Sequence, residues 1–328
     1  MINAAVTGVA GYVPDYVLTN AELENLVETN DQWIRERTGI AERRLDKRPD
    51  TGTSDLAVPA VNKLLAETGT APEDVDLVIC CTVTGDYRFP DTGTLIAHKC
   101  GLRNAYGYDL MAACSGFLFG LQAGAQYIKA GTYRKVVVVG ADKMSSIVDY
   151  TDRATCILFG DGAGAVLLEP SSTPGVGVGL ARLYSDGSGG DNLNMQAGGS
   201  RYPASIETVT KKMHAIRQNG RAVFKRAVLG MSGALKEVMT EEGLSADDVA
   251  YVVPHQANLR IIESVAKQLD FPMARVMLTI EKYGNTTAAT IPLTMADYKD
   301  KLKAGDELLL TAFGGGYTWG ALRLTWGV

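Results

Sequence analysis

The chain has 328 residues, 46% of them hydrophobic and 21% charged, a globular usage that excludes a disordered or fibrous protein and leaves room for about two domains. Its 32 lysines and arginines stand against 37 aspartates and glutamates, a net charge of −5, so no general affinity for nucleic acid is expected. No run approaches the ~18 consecutive apolar residues of a membrane span.

In chain order, the pattern predicts an opening strand at 4–9, a helix around 54–67 and a short buried strand at 75–81. A helix near 116–129 leads through Lys129-Ala130-Gly131 to an apolar strand at 136–139, and a glycine-punctuated strand follows at 160–170. Continuous apolar runs of this length suit central strands covered on both faces. After a turn-rich connector at 170–175 the rhythm returns. It runs through a strand at 176–183, a helix around 222–241, a strand at 249–254 and a helix near 290–301. Lys303-Ala304-Gly305 then precedes strands at 308–311 and 318–326. The two Lys-Ala-Gly triplets lie 174 residues apart, and so do Asp74-Val75 and Asp248-Val249. Two unconnected matches at one offset point to a duplicated α/β fold with halves 1–172 and 173–328. The segment 187–200 holds five glycines in fourteen residues and reads as a surface loop, with a mobile flap as the alternative.

The N-terminal MINAAVTGVAGYVP lacks the basic region and long apolar core of a secretion signal. Cys80, Cys81, Cys100, Cys114 and Cys156 are odd in number and lack zinc spacing. Reduced thiols in a cytoplasmic protein with no metal are therefore expected. Cys80 and Cys81 sit in an apolar strand, and Cys100 and Cys156 have no polar setting; all four read as packing residues. Cys114, in Asp109-Leu-Met-Ala-Ala-Cys114-Ser-Gly, stands between small residues just before a helix, where the positive end of the helix dipole favours a thiolate. Taken alone, Cys114 stays open between a nucleophile and a packed thiol. His255, in Val252-Val-Pro-His255-Gln-Ala-Asn258, follows a proline that ends a strand, and three polar groups within four residues are costly to bury without use. His98 reads as decorating a helix and His214 as a surface residue. Asn285, in Gly284-Asn285-Thr286, is by itself an ordinary turn and helix cap. Gly160-Asp-Gly162-Ala-Gly164 precedes a strand, not a helix, so it reads as a hairpin turn and not as a nucleotide loop. Phe313-Gly314-Gly315-Gly316 could turn backbone N–H groups toward a ligand or simply form a tight turn. Ligands in open α/β sheets gather beyond the carboxyl ends of strands, and Cys114, His255 and Asn285 all fall at strand-to-helix exits.

Six segments in register carry a resemblance: DQWIRERTGI (31–40), AACSGF (112–117), TDRATCILFGDGAGAVLLEP (151–170), VPHQANLRI (253–261), YGNTTAATIP (283–292) and AFGGGYTWG (312–320). The chain resembles β-ketoacyl-acyl carrier protein synthase III of the thiolase superfamily over essentially its whole length. The resemblance implies a thiolase-like five-layered αβαβα fold and a homodimer. It also implies an initiating condensing enzyme of type II fatty acid synthesis. An acyl-CoA primer would acylate Cys114, and a decarboxylative Claisen condensation with malonyl-acyl carrier protein would follow. His255 and Asn285 would hold the carbanion oxygen, the N–H groups of Cys114 and Gly315 would form the oxyanion hole, and Phe313 would press on the malonyl group. Trp33 and Arg153 match the pair that sandwiches the CoA adenine. Thr29, Arg37, Gly220, Phe224, Ala257 and Asn258 match the CoA and pantetheine tunnel. No metal or redox cofactor is implied. Arg221, Lys225, Arg226, Arg260 and Lys267 offer a basic patch for an acidic carrier protein, with a solvated helix face as the alternative. Phe89 matches an aromatic that reaches into the partner subunit's acyl pocket. Asp91-Thr-Gly93 and His98 depart from the family's usual residues there, which bears on primer choice. Rival readings are a related ketosynthase priming or tailoring a polyketide or quinolone-like product, a cysteine-dependent thioester hydrolase, and a non-catalytic partner subunit. The intact Cys114, His255 and Asn285 set argues against the last.

Overall fold

A computed structural model describes residues 2–328. Strands Asn3–Tyr12, Asp161–Ser171, Val136–Lys143, Leu77–Cys81 and Tyr106–Leu110 form one sheet in that spatial order. Its last three strands run parallel, and Asp161–Ser171 is antiparallel to both of its neighbours. A second sheet is ordered Gly177–Ser185, Thr318–Thr325, Glu307–Gly314, Tyr251–Pro254, with the same sequence of directions. Where the first sheet adds Tyr106–Leu110, the second has only an isolated parallel bridge between Val252 and Val276.

The helices Gly116–Lys129 and Thr290–Tyr298 lie between the two sheets. Both are rich in fully buried apolar residues, as a helix covered on opposite faces must be. Thr53–Thr68 and Thr92–Lys99 cover the outer face of the first sheet, and Gly220–Glu242 with Leu259–Gln268 covers that of the second. The result is the five-layered αβαβα arrangement. Its central apolar cluster draws Phe117, Leu121, Val138, Ile291, Leu310 and Leu322 from both sheets and both inner helices. Each such side chain contributes about 1.5–3 kcal/mol by leaving water.

Most element positions follow the sequence pattern, and several boundaries move. The strand expected at 75–81 begins at Leu77 because Pro72–Asp74 forms a 3-10 turn. The helix expected to 301 tightens into a 3-10 turn at Lys299–Lys301. The segment 187–200 is not a plain loop: it holds a one-turn helix, Gly187–Gly189, and a strand, Leu193–Met195, paired with Ile216–Gln218.

The Gly160-Asp-Gly162-Ala-Gly164 run is not a hairpin turn either. It opens the Asp161–Ser171 strand. Gly11, Gly164 and Gly140 stand side by side on three adjacent strands. A Cβ at Gly140 would lie 2.2 Å from the Ala288 carbonyl oxygen, one at Gly164 2.7 Å from Pro292 Cβ, and one at Gly11 2.7 Å from Leu293 Cδ2. These glycines form a trough that seats the 288–293 segment against the first sheet.

Candidate active site

Cys114 occupies a 3-10 turn, Ala113–Ser115, that runs into the Gly116–Lys129 helix. Ala113 has φ 47°, a left-handed conformation that costs energy for a residue with a Cβ. Two hydrogen bonds hold the turn: Ser115 Oγ donates to the Thr318 carbonyl at 3.0 Å, and Thr318 Oγ1 donates to the Ala112 carbonyl at 2.7 Å. Gly314 completes the contact, since a Cβ there would stand 2.7 Å from Cys114 N. Burial, reinforced by the Asp142 carboxylate, pushes the Cys114 thiol up to about 12. The thiolate expected from the helix terminus is therefore not preformed. A shift of that size outweighs a helix dipole, worth at most ~2 kcal/mol.

His255 follows the Tyr251–Pro254 strand, and its N–H donates to the Thr311 carbonyl at 2.8 Å. Burial drives its pKa down to about 3, so the imidazole is neutral near pH 7. Nδ1 lies 2.7 Å from Thr290 Oγ1, which also lies 3.1 Å from the Thr287 carbonyl. One hydroxyl proton cannot serve both. When Thr290 donates to Nδ1, the ring carries its proton on Nε2. Gln256 is satisfied structurally: its Nε2 donates to the Pro254 and Met277 carbonyls and its Oε1 accepts from the N–H groups of Thr279 and Ile280.

Asn285 is pinned through its backbone, its N–H donating to the Leu158 carbonyl at 2.9 Å and its carbonyl accepting from Gly160 N at 3.1 Å. Its Oδ1 accepts from Thr287 N at 2.9 Å. The amide oxygen is thus committed, and the Nδ2 group is the end left to donate.

Cys114, His255 and Asn285 line one cavity of about 1330 Å³. Phe313, Gly315, Trp33, Arg37, Gly220, Phe224, Ala257 and Asn258 line the same cavity. Asn258 also caps the Leu259–Gln268 helix and donates to the Arg37 carbonyl at 2.9 Å, so its side chain is already engaged. Arg153 lies outside the cavity wall, but its guanidinium sits 5.0 Å over the Trp33 ring, with that of Arg37 at 6.0 Å. Thr29 lies outside the wall too, its hydroxyl buried without a partner among the described residues. Phe89 lies outside the cavity wall and is 86% exposed. Arg221, Lys225, Arg226, Arg260 and Lys267 are all exposed. Arg226 pairs with Asp186, and Arg260 lies 5.9 Å over the Phe224 ring at the cavity wall. His98 is exposed. His214 is not a surface residue: it is half-buried, with Nε2 2.9 Å from Thr208 Oγ1.

Residues 108–187 match the family described as 3-oxoacyl-[acyl-carrier-protein] synthase III, and residues 239–326 match its C-terminal part. A β-ketoacyl-[acyl-carrier-protein] synthase III of Bacteroides thetaiotaomicron is 51% identical over 326 residues, covering 99% of this chain and 97% of that protein. The enzyme of the same name from Chlorobium chlorochromatii is 51% identical over 328 residues, covering 99% and 100%. The chain belongs to the β-ketoacyl-acyl carrier protein synthase III family. It is accordingly a transferase with the initiating condensing role in fatty acid synthesis. The synthase III fold is equally plain in the solved structures: the Aquifex aeolicus enzyme is 40% identical with a TM-score of 0.90, covering 98% of this chain and 100% of that one. A priming β-ketosynthase from the R1128 polyketide pathway is 33% identical with a TM-score of 0.91, covering 99% and 96%.

Several residues that shape this synthase III site went unread in the sequence. Thr290 falls at the start of the helix expected near 290–301, Thr287 just before it, and Asp142 beyond the strand expected at 136–139. An acid closing the run Val136-Val-Val-Val-Gly-Ala-Asp142 was the available signal, because a carboxylate there must find donors. The wall built by Leu193, Asn194 and Met195 was hidden in a glycine-rich stretch.

Proposed function

We propose that the chain joins an acyl-CoA primer to malonyl-acyl carrier protein with Cys114 as nucleophile and His255 and Asn285 as hydrogen-bond donors. The observation that carries this is the convergence of thiol, neutral imidazole and carboxamide on one cavity. Cys114 Sγ attacks the thioester carbonyl, the C–S bond to CoA breaks, and the thiol proton leaves with CoA. Malonyl thioester then enters and loses CO2, and the electron pair of the broken C–C bond passes to the α-carbon. The enolate oxygen accepts from His255 Nε2–H and Asn285 Nδ2–H. The carbanion attacks the acyl carbonyl on Cys114, whose oxygen is held by the N–H groups of Cys114 and Gly315. The released sulfur takes a proton, and the β-ketoacyl-carrier product departs. A neutral imidazole suits this role, because an enolate needs a donor and not a permanent charge beside a hydrophobic wall. Phe313 supplies part of that wall.

Trp33, with Arg37 and Arg153 beside its ring, is assigned to the adenine of CoA, a flat group that stacks between ring and guanidinium. Gly220, Phe224, Ala257 and Asn258 are assigned to the pantetheine arm, with Thr29 at its outer end. Arg221, Lys225, Arg226, Arg260 and Lys267 are assigned to carrier-protein docking. Arg226 contributes least because Asp186 already engages it. We read the two sheets as halves 1–172 and 173–328, the first giving the thiol and the second its donors. The active form is a homodimer in which Phe89 enters the partner's acyl pocket, and the protein works in the cytoplasm. None of the steps calls on a metal or redox cofactor.

Mass spectrometry of the intact protein with an acyl-CoA panel tests the assignment. One acyl adduct is expected, lost in Cys114→Ala, and His255→Ala should keep acylation while condensation falls about 10²–10³-fold. Equal loss of both steps would remove the assigned division of labour. A primer panel also separates short primers from those of a specialised pathway, a distinction raised by the R1128 relative.

A further inference from the structure

Asp142 is fully buried at the end of the Val136–Lys143 strand, beside the site yet absent from the steps above. A carboxylate in such a place needs strong compensation, and no cation pairs with it among the described residues. Six hydrogen bonds compensate instead. Oδ1 accepts from Thr82 Oγ1 at 2.9 Å, Val83 N at 2.8 Å, Thr84 Oγ1 at 2.8 Å and Thr84 N at 3.1 Å. Oδ2 faces the other way, accepting from Thr287 Oγ1 and from Ala288 N at 3.3 Å.

Thr287 is the unusual partner. Its φ is 50°, an outlying left-handed value for a β-branched residue that persists only when its surroundings impose it. In that conformation its N–H reaches Asn285 Oδ1 at 2.9 Å. We propose that Asp142 is a positioning residue for Asn285: its Oδ2 locks Thr287, and Thr287 N–H fixes the carboxamide with its Nδ2 end toward the cavity. The proposal rests on the assignment of Asn285 as an enolate donor. It makes the first sheet, which carries the nucleophile, also responsible for aiming a donor borne by the 285–290 segment.

The two oxygens of Asp142 make the test selective. In Asp142→Asn, the remaining oxygen keeps the four donors of 82–84 and the NH2 group turns toward Thr287 and Ala288, where it opposes the Ala288 N–H and can only donate to Thr287 Oγ1, reversing that bond. Acylation of Cys114, read by intact mass, is expected to hold or rise, because losing the Asp142 charge removes one of the two causes that keep the thiol protonated. Malonyl-thioester decarboxylation and condensation should fall about 10–100-fold, the scale of a small misplacement. Thr287→Val should reproduce that split without touching 82–84, and Thr287→Ser should restore condensation to within about threefold. Decarboxylation unchanged in both Asp142→Asn and Thr287→Val, or acylation and condensation falling together in Thr287→Val, would overturn the proposal. Asn285→Ala separates the two layers. If it loses decarboxylation while Asp142→Asn and Thr287→Val keep it, the positioning role fails alone; if Asn285→Ala keeps it, the assignment of Asn285 fails and the proposal with it.

Discussion

A thiol whose pKa is pushed to about 12 is protonated throughout the neutral range. Its thiolate fraction then rises tenfold per pH unit, and so does its rate with a simple alkylating agent. Iodoacetamide labelling of the free enzyme should climb about tenfold per unit between about pH 6 and 9, with no plateau. A plateau near pH 7 would reveal a preformed thiolate. His255, with its pKa lowered to about 3, adds no inflection in that window. The same group does affect stability: its folded pKa lies below the unfolded value, so the unfolded chain takes up the proton first. Stability present above about pH 6.5 should drain away on acidification at up to ~1.4 kcal/mol per pH unit. Chemical denaturation at several pH values should show this slope, and His255→Gln should flatten it. The motifs that bring Cys114, His255 and Asn285 to one cavity were legible at this scale. Protonation states were not, because they depend on burial that only the assembled layers create.

At the scale of elements, the inner helix that follows Asn285 takes its position from the trough of Gly11, Gly164 and Gly140. A methyl group at Gly140 would collide with the backbone of Ala288, which has no flexible end to swing aside. Gly140→Ala is expected to destabilise by about 1–3 kcal/mol or more, read as a lower denaturant midpoint, and to slow condensation through displacement of the 285–290 segment. An unchanged midpoint would show that the two layers can slide apart freely. The strand and helix rhythm was readable from apolar runs, down to the inner helix Gly116–Lys129. The trough was not, because Gly160-Asp-Gly-Ala-Gly164 has the local look of a turn. Its meaning comes from a segment more than a hundred residues away. The wall strand Leu193–Met195 escaped for a similar reason: its ladder partner, Ile216–Gln218, is itself three residues long.

For the molecule as a whole, Tyr87, Phe89 and Met111 are large apolar side chains with 65%, 86% and 78% exposure, and Tyr87 and Met111 border the cavity. Exposed apolar groups gathered at a site mouth mark a surface meant to be covered. Sedimentation equilibrium is expected to give twice the chain mass, and Phe89→Asp should shift the population toward one chain and change the order of primer preference. A wild-type protein of single-chain mass would remove the dimer. The like strand order of the two sheets could be anticipated from the 174-residue offset shared by the Lys-Ala-Gly triplets and the Asp-Val pairs. The missing fifth strand of the second sheet could not.

Between the two sheets the main chain passes through Ser172, Thr173, Pro174 and Gly175, all exposed, while Val6, Leu168, Val178 and Leu324 on either side belong to one apolar cluster. Covalent continuity there is expected to add little to the finished architecture. A protease nicking this bridge is expected to yield two fragments that stay clasped, since the seam between them is closed by shared apolar packing and by bonds such as those of Ser115 with Thr318 and of Asn285 with Leu158.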